Sequence, residues 1–265
     1  MALQAASSAT STSTTPTIQA SFAKEPDFFN SLLGKDAEAD ETAAFLERFS
    51  GEGALELGIG SGRVAVPLSE RGVKVEGIDN SDSMLKLLAK RTGLIKAWNE
   101  DIADFSPEQR YDLVYCVYNT FTLLSRREEQ IACLRSAAQA LYEGEVFVIE
   151  LRVPVLAGFV NGQKTSTTLV DHDNTFINAA IHEPLKQNLI STLLWFSGTS
   201  VRRFPQRSRY VFHQELDTMA EYVGLELAER WGDWARGAFT DASNRHISVY
   251  RRTGSPKTSP HSADP

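Results

Sequence analysis

Four residues near the start of the chain have the types and spacing that suit binding of a nucleoside. Gly58, Gly60 and Gly62 occupy alternate positions directly after the apolar run 54–57, and Asp79 follows a second apolar run, 73–78. Glycine allows a sharp backbone turn and the close approach of a ligand. A carboxylate at the end of the second run can accept hydrogen bonds from a ribose diol. The pattern therefore predicts a nucleoside site between two neighbouring strands.

A β-α-β unit is the element that must position these residues. The two apolar runs predict buried parallel strands, and the segment between them predicts a helix that ends near Gly72. The N-terminus of that helix would add unpaired backbone N–H groups to the site. The dinucleotide turn G-x-G-x-x-G/A requires a small residue where this chain has Arg63, and no G-K-[S/T] follows as in a P-loop. Both of those phosphate-binding turns are therefore disfavoured.

The stretch ELGIGSGR, residues 56–63, resembles the E/D-x-G-x-G-x-G motif of class I S-adenosylmethionine-dependent methyltransferases. The resemblance covers about two thirds of the chain, and residues 152–212 lie outside the shared core. It implies an α/β fold with a Rossmann-like seven-stranded sheet and helices on both faces. It also implies a methyltransferase with S-adenosyl-L-methionine as its cofactor. A non-catalytic cofactor-binding scaffold and, with Arg63 against it, a nicotinamide-dependent reductase are the alternatives.

The resemblance also implies which residues contact the cofactor. Met84 would touch the adenine face, unless it is only a core methionine. Asp101 would accept a hydrogen bond from the adenine amino group, and the backbone of Ile102 would donate to a ring nitrogen. Glu100 and Asp104 compete for the acidic role, and Asp101 is favoured because Ile102 supplies its apolar neighbour. The implied cofactor-binding residues are Phe29, Glu56, Gly58, Gly60, Gly62, Arg63, Asp79, Asn80, Met84, Asp101, Ile102 and Val117.

The ends of the chain differ in composition from its centre. Residues 1–19 are rich in Ser, Thr and Ala, and residues 253–265 contain three prolines, so both are expected to be disordered tails. Residues 20–151 are expected to form the cofactor-binding core. Phe22, Phe28 and Phe29 suggest short helices there that either cover the cofactor as a lid or pack on the sheet. A helix is predicted over 40–49.

The remaining core elements follow from apolar periodicity. A helix is expected after Asp79, and a third strand over 94–98. The fourth and fifth strands are predicted at 111–118 and 145–151, with a helix over 123–141 between them. Residues 213–252 complete the core with a helix over 214–223 and strands over 225–234 and 246–251.

Residues 152–212 have no place in the shared core. They contain β-rich runs at 166–170, 174–181, 189–196 and 209–212, separated by turn-prone pieces. We predict a small antiparallel sheet inserted after strand five, above the carboxyl edge where open α/β sheets bind ligands. The insert would therefore cover the substrate site. Its apolar run 189–196 is also a candidate surface for a homodimer.

Methyl transfer needs few catalytic groups. The sulfonium methyl is an activated electrophile, so alignment of the acceptor supplies much of the rate. A base is required only for an acceptor that arrives protonated. Positions at the carboxyl ends of the strands or in the insert are the candidates, and the catalytic candidates are Tyr118, Glu150, His182 and Tyr210. The chain has no HExxH, no CxxC and no cluster of three Asp residues, so no metal is predicted.

The composition of the chain limits the classes of partner that it is expected to bind. The net charge of −7 disfavours nucleic acid, because phosphate binding needs a basic surface. No apolar run is long enough to cross a bilayer. Two cysteines do not make a disulfide framework and fit a cytoplasmic protein. The pattern is loosely similar to small-molecule methyltransferases of bacterial secondary metabolism, including amino-sugar enzymes. The acceptor is therefore expected to be a small organic molecule, methylated on N, O or C.

Overall fold

The structure is a computed structural model that describes residues 37–170 and 172–254. The predicted tail 1–19, the predicted lid with Phe29, and residues 255–265 lie outside the described residues. Among the residues that the structure describes, no helix has the length and apolar character needed to span a membrane.

Helices and strands alternate over residues 37–99, and the next strand, Tyr111–Cys116, follows the strand Lys96–Asn99 without a helix between them. The helices are α1 Ala37–Glu47, α2 Ala65–Glu70, α3 Asp82–Arg91, α4 Arg127–Ala140 and α5 His213–Tyr222. The core strands are β1 Ala54–Leu57, β2 Val75–Asp79, β3 Lys96–Asn99, β4 Tyr111–Cys116, β5 Leu141–Arg152, β10 Leu225–Trp231 and β11 Arg245–Arg252. The inserted strands are β6 Gln163–Val170, β7 Asn174–Glu183, β8 Asn188–Ser197 and β9 Ser200–Arg209.

The core strands form one seven-stranded sheet in the order β10-β11-β5-β4-β1-β2-β3. Strand β1 pairs in parallel with β2 and β4, β2 with β3, and β4 with β5, whereas β11 runs antiparallel to β5. The predicted seven-stranded Rossmann-like sheet is confirmed. Because β1 to β5 are parallel, their carboxyl ends share one edge, and the segments that follow them meet there.

Helices cover both faces of the sheet, as predicted. Successive residues of β5 alternate between the faces: Phe147 packs into a cluster with α4 and α5, and Val148 into a cluster with α1, α2 and α3. Both side chains are fully buried. The hydrophobic core therefore lies on both faces of the sheet, and packed helices on each face hold the sheet and its carboxyl edge in place.

Several predicted element bounds within the core are wrong. The fourth strand ends at Cys116 and not at residue 118, and the strand predicted over 225–234 ends at Trp231. The predicted helix 123–141 is divided into a 3₁₀ turn, Thr120–Leu123, and α4. Helix α4 begins at Arg127 because the Glu129 carboxylate accepts a hydrogen bond from the backbone N–H of Arg126 at 3.0 Å. The predicted third strand includes Leu94, but this residue is 86% exposed and β3 begins at Lys96.

The insert is a four-stranded antiparallel sheet in the order β6-β7-β8-β9, so the predicted inserted sheet is confirmed. The predicted fourth run, 209–212, is wrong, because the fourth strand is β9 at Ser200–Arg209. This strand contains four arginines and Pro205, which hides it from apolar periodicity. Proline is tolerated there because β9 lies at the edge of its sheet.

Arg209 anchors the insert to the core. Its buried guanidinium donates to Gln130 of α4 at 2.6 Å, to Gln187 at 2.5 Å, and to Glu215 of α5 at 2.6 Å. The Gln130 side chain in turn donates to the Arg209 carbonyl oxygen at 3.1 Å. These hydrogen bonds fix the end of β9 beside helices α4 and α5.

Candidate functional site

The three glycines of the first turn serve two different purposes. All three have positive φ: +78° at Gly58, +54° at Gly60 and +78° at Gly62. A Cβ at Gly58 would lie 2.4 Å from Thr120, and one at Gly62 would lie 2.4 Å from Leu88. A Cβ at Gly60 would have only the Asp79 carboxylate near it, at 4.0 Å. Gly58 and Gly62 are thus required by packing, and Gly60 faces open space.

The Asp79 carboxylate borders the open space next to Gly60. One carboxylate oxygen accepts from the N–H of Gly60 at 2.8 Å, and the other accepts from the N–H of Ser81 at 2.8 Å. Burial raises the pKa of Asp79, and the two N–H donors oppose that rise. A carboxylate oxygen has two lone-pair sites. Each oxygen therefore retains an acceptor site for a hydroxyl group of a ligand.

Glu56 lies under the glycine turn at the end of β1. Its buried carboxyl accepts a hydrogen bond from the Tyr115 hydroxyl at 3.0 Å. Burial raises the pKa of Glu56 to about 8, and the nearby Asp79 adds to the effect. A cationic group bound close by would favour the ionised form of this carboxyl.

The segment after β3 contains two acidic candidates for the adenine contact, Glu100 and Asp101, and their environments differ. Glu100 is already engaged, since it accepts from the Trp98 indole at 2.6 Å and from the Ser106 N–H at 3.2 Å. Asp101 is exposed at the sheet edge and accepts from the N–H of Ala103 at 2.9 Å, whereas Ile102 is buried. The geometry favours Asp101 over Glu100 as the acid available to a ligand, and its adenine contact remains a prediction.

Three further cofactor candidates lie after β2 and β4. Met84 is buried on α3, whose first turn is capped by the Ser81 hydroxyl. Asn80 is exposed beside Asp79. Val117 is buried in the core, and its carbonyl accepts from both the N–H and the hydroxyl of Thr120. The described candidates therefore follow four adjacent strands along one edge.

Tyr118 and Glu150, two of the catalytic candidates, are in direct contact. The N–H of Tyr118 donates to the Glu150 carboxylate at 2.9 Å. Tyr118 and Asn119 both have left-handed backbones, with φ of 55° and 63°, and the Asn119 side chain accepts from the N–H of Arg152 at 3.0 Å. Burial raises the pKa of Glu150, and the neighbouring Arg245 guanidinium opposes that rise. This strained turn lies at the ends of β4 and β5.

The same cluster contains Glu38 and Arg245, which sequence reasoning missed. The Tyr118 hydroxyl donates to Glu38 at 3.0 Å, and Arg245 donates to Glu150 at 2.9 Å and also to Glu38. The Arg63 guanidinium lies 3.5 Å from the centroid of the Tyr118 ring and 3.6 Å from Glu38. Glu38 and Arg245 are 207 positions apart, so no local pattern links them.

A pocket of about 320 Å³ opens beside this cluster, between α1 and the segment joining β10 to β11. Its lining carries more acidic than basic side chains. The charged lining residues are Glu38, Glu41, Asp233 and Arg245.

His182 and Tyr210 form a second cluster, on the insert. The His182 Nε2 and the Tyr210 hydroxyl are 3.0 Å apart, and the rings of Phe159 and Phe212 pack beside them at centroid distances of 5.3 and 5.8 Å. Burial raises the pKa of Tyr210. The structure therefore divides the catalytic candidates into two pairs, Tyr118 with Glu150 and His182 with Tyr210.

His246 gives the fold a measurable dependence on pH. It is 1% exposed, and burial, with help from Arg230 and His213, lowers its pKa to about 3. The unfolded chain then binds the extra proton between pH 6.5 and 3, so this contribution to stability is lost as the pH falls below 6.5. At pH 5 the loss is expected to be about 2 kcal/mol, at 1.36 kcal/mol per pH unit.

The His246→Leu protein tests this pH dependence. Its free energy of unfolding should change less than that of the native chain between pH 7 and 5, measured by urea titration. The raised pKa of Glu56 makes its contribution to stability change with pH in the opposite direction. The test therefore compares the pH-dependent change in unfolding free energy of the native protein with that of His246→Leu. Equal changes in both proteins would show that His246 is not held neutral.

The chain is similar to known methyltransferases. A family model described as a methyltransferase domain matches residues 54–144. The cypemycin N-terminal methyltransferase of Streptomyces sp is 26% identical over 229 residues, which are 85% of this chain and 94% of that protein. The dTDP-3-amino-3,6-dideoxy-alpha-D-glucopyranose N,N-dimethyltransferase of Streptomyces fradiae is 31% identical over 153 residues, 53% of this chain and 60% of that protein.

A solved structure is similar over nearly its whole length. The CcbJ methyltransferase from Streptomyces caelestis is 35% identical, with a TM-score of 0.78. The similarity covers 83% of this chain and 98% of that chain.

Proposed function

This chain belongs to the class I S-adenosylmethionine-dependent methyltransferases, and from that starting point we propose that it methylates an amine nitrogen of a small natural product. Family membership makes S-adenosylmethionine the cofactor and methyl transfer the reaction. It decides against both the nicotinamide-dependent reductase and the non-catalytic scaffold.

The described residues fit the cofactor. The open space at Gly60 lies beside the Asp79 carboxylate, which keeps acceptor sites for the two ribose hydroxyls. Met84, Asp101 and Ile102 would hold the adenine, following the adjacent strands. Glu56, Gly58, Gly62, Arg63, Asn80 and Val117 are proposed to complete the cofactor site, and Phe29 is proposed from its sequence position alone. The bound cofactor supplies a methyl group already activated on a sulfonium.

The pocket beside Tyr118 is the observation that carries the choice of an amine. Its three carboxylates, Glu38, Glu41 and Asp233, outnumber Arg245, so the lining favours a cation. An alkyl amine with a pKa near that of lysine, about 10.4, is mostly a cation at neutral pH. The two curated relatives are named an N-terminal methyltransferase and an N,N-dimethyltransferase. The net charge of −7 also favours a small cationic acceptor over nucleic acid.

The catalytic candidates take distinct roles in this proposal. The Tyr118 hydroxyl donates its hydrogen to Glu38, which leaves the oxygen free to accept a hydrogen bond from the amine. Glu150 holds the Tyr118 backbone, because one of its oxygens accepts from the Tyr118 N–H and the other from the Arg245 guanidinium. His182 removes the proton that the ammonium must lose, and Tyr210 orients the imidazole.

Matched acceptors test the choice of nitrogen. The purified protein and S-adenosylmethionine are incubated with a dTDP-3-amino-3,6-dideoxy-hexose and its 3-hydroxy counterpart, and with a short peptide bearing a free or an acetylated N-terminus. Mass spectrometry should find the added methyl on an amine of at least one pair and never on the blocked or hydroxylated partner. Methylation of the hydroxylated partner alone, or of no amine, would refute the proposal.

The insert is proposed to contact the acceptor and not the cofactor. His182→Ala and Tyr210→Phe are therefore expected to lower amine turnover by at least tenfold. Their affinity for S-adenosylhomocysteine, measured by calorimetry, should change by less than about threefold, or ~0.7 kcal/mol. A comparable loss of cofactor affinity in either variant would count against this division of roles.

We propose that one face of the inserted sheet contacts the acceptor and the opposite face forms a homodimer interface. Leu193 lies on the same face as His182, because His182 pairs with Leu189 and alternate residues share a face. Leu194 lies on the other face, with the half-exposed Ile190 and Phe196. Leu193→Lys should reduce turnover without changing the oligomeric state. Leu194→Lys should dissociate the dimer, seen by light scattering, while turnover persists, and the reverse pattern would exchange the roles of the faces.

A cytoplasmic location is also proposed. Cys116 and Cys133 are both buried free thiols, which suits a reducing compartment.

A further inference from the structure

Four side chains and one backbone amide form a closed ring of polar contacts around the turn at Tyr118. The N–H of Tyr118 donates to one oxygen of Glu150 at 2.9 Å, and Arg245 donates to the other at 2.9 Å. Arg245 also donates to one oxygen of Glu38. The other Glu38 oxygen accepts from the Tyr118 hydroxyl at 3.0 Å. The ring thus begins and ends on the same tyrosine.

The ring joins four distant segments of the chain. Glu38 lies in the first turn of α1, Tyr118 follows β4, Glu150 lies in β5, and Arg245 is the first residue of β11. Glu150 is 5% exposed, and the side chains of Glu38 and Arg245 are 37% and 27% exposed. Paired, partly buried charges hold geometry well because loss of one partner leaves the other uncompensated.

The turn that the ring encloses needs external support. Tyr118 and Asn119 are consecutive non-glycine residues with positive φ. A left-handed backbone is unfavourable for a bulky side chain and persists only where its surroundings over-determine it. Arg63, stacked 3.5 Å over the Tyr118 ring, immediately follows the glycine turn. The strained turn is therefore held between the ring and the loop that receives the cofactor.

We propose that Glu38 and Arg245 are positioning residues for methyl transfer, which hold the Tyr118 hydroxyl and its left-handed turn at the mouth of the cofactor site. They act through Tyr118, and Glu38 also adds to the negative charge of the pocket lining. The kinetic part of this inference rests on the proposed amine methylation. A purely structural role for the ring would instead stabilise the docking of α1 without affecting the tyrosine oxygen.

Variants of the ring are compared with a control on the same helix. Glu38→Gln, Arg245→Met and Tyr118→Phe are each expected to lower kcat for the best-methylated amine of the panel at least tenfold. The Kd for S-adenosylhomocysteine should change less than threefold. Asp40→Asn removes an exposed charge two residues along α1 and should leave kcat and Kd unchanged. Arg245→Lys, which keeps a cationic donor, should recover most of the activity lost in Arg245→Met.

A double mutant separates positioning from stability. If Glu38 acts through the tyrosine oxygen, Glu38→Gln combined with Tyr118→Phe should lower kcat no further than either change alone. Multiplied losses in the double mutant would overturn the proposal, as would losses confined to the melting temperature.

Hydrogen exchange tests the ring without any acceptor. In the complex with S-adenosylhomocysteine, peptides covering residues 116–122 should exchange at least tenfold faster in Glu38→Gln and Arg245→Met than in the native chain or Asp40→Asn. Unchanged exchange would overturn the positioning role whatever the acceptor assays show. If no amine is methylated, the proposed function fails, and this measurement alone decides the role of the ring.

Discussion

The Gly60→Val protein is expected to fold normally and to lose at least about a hundredfold in affinity for S-adenosylhomocysteine, or ~2.7 kcal/mol. A Cβ at Gly60 meets no protein atom closer than the Asp79 carboxylate at 4.0 Å, so the branched side chain would enter the space left for the cofactor. The φ of +54° adds backbone strain for a β-branched residue. Calorimetry gives the affinity, and thermal unfolding confirms the fold.

Gly72→Val is the matched control for that experiment. Gly72 also has positive φ, +92°, and nothing lies within 4 Å of its ideal Cβ position. It ends the turn after α2, away from the cofactor edge. The control therefore carries similar strain without a bound ligand nearby, and it should bind S-adenosylhomocysteine normally. Unchanged affinity in Gly60→Val, or an equal loss in Gly72→Val, would refute the assignment of the glycine turn.

Asp79→Ala is expected to weaken cofactor binding by about 1.5–3 kcal/mol, the range for hydrogen bonds to a charged group. That is roughly a ten- to hundredfold loss. The physical reason is twofold: the ribose hydroxyls lose their acceptor, and the N–H groups of Gly60 and Ser81 lose theirs. The measurement is again the Kd of S-adenosylhomocysteine. Asp82→Ala, which removes an exposed acid at the start of α3, is the control and should bind normally.

Deoxyribose analogues of S-adenosylhomocysteine separate the two contributions at Asp79. The 2′- and 3′-deoxy compounds should bind the native protein more weakly, and they should lose little more in Asp79→Ala. The part of the mutational loss that the analogues do not reproduce measures how far Asp79 supports the turn itself. If the two losses add in full, Asp79 does not bind the ribose.

The elements that follow local rules could be predicted from the chain alone. The glycine turn, the parallel strands around it and Asp79 at the end of β2 each depend on residues a few positions apart. Alternation and helical periodicity also located α5 and three of the four inserted strands to within a few residues. Polar strand β9 escaped because its arginines and Pro205 carry no apolar period, and its position depends on pairing with β8.

Other features depend on which distant residues burial brings together. Sequence patterns place Glu56 near the end of a strand, but they do not indicate its burial or its hydrogen-bond partner. Tertiary packing brings the Tyr115 hydroxyl to Glu56, and burial there raises the pKa of Glu56 to about 8. A pKa shift of this kind arises from desolvation, and the degree of desolvation is a property of the whole fold.

The amino-acid sequence thus determines the edge at which the cofactor is proposed to bind, because a turn of alternating glycines and a strand-ending acid are local in the chain and need only their own backbone geometry. The acceptor side was decided by the tertiary structure. Glu38 and Arg245 are 207 positions apart, and neither has a distinctive neighbourhood. They meet at Tyr118 only because α1 packs on one face of the sheet while β11 inserts antiparallel beside β5, which brings both charges to the same edge.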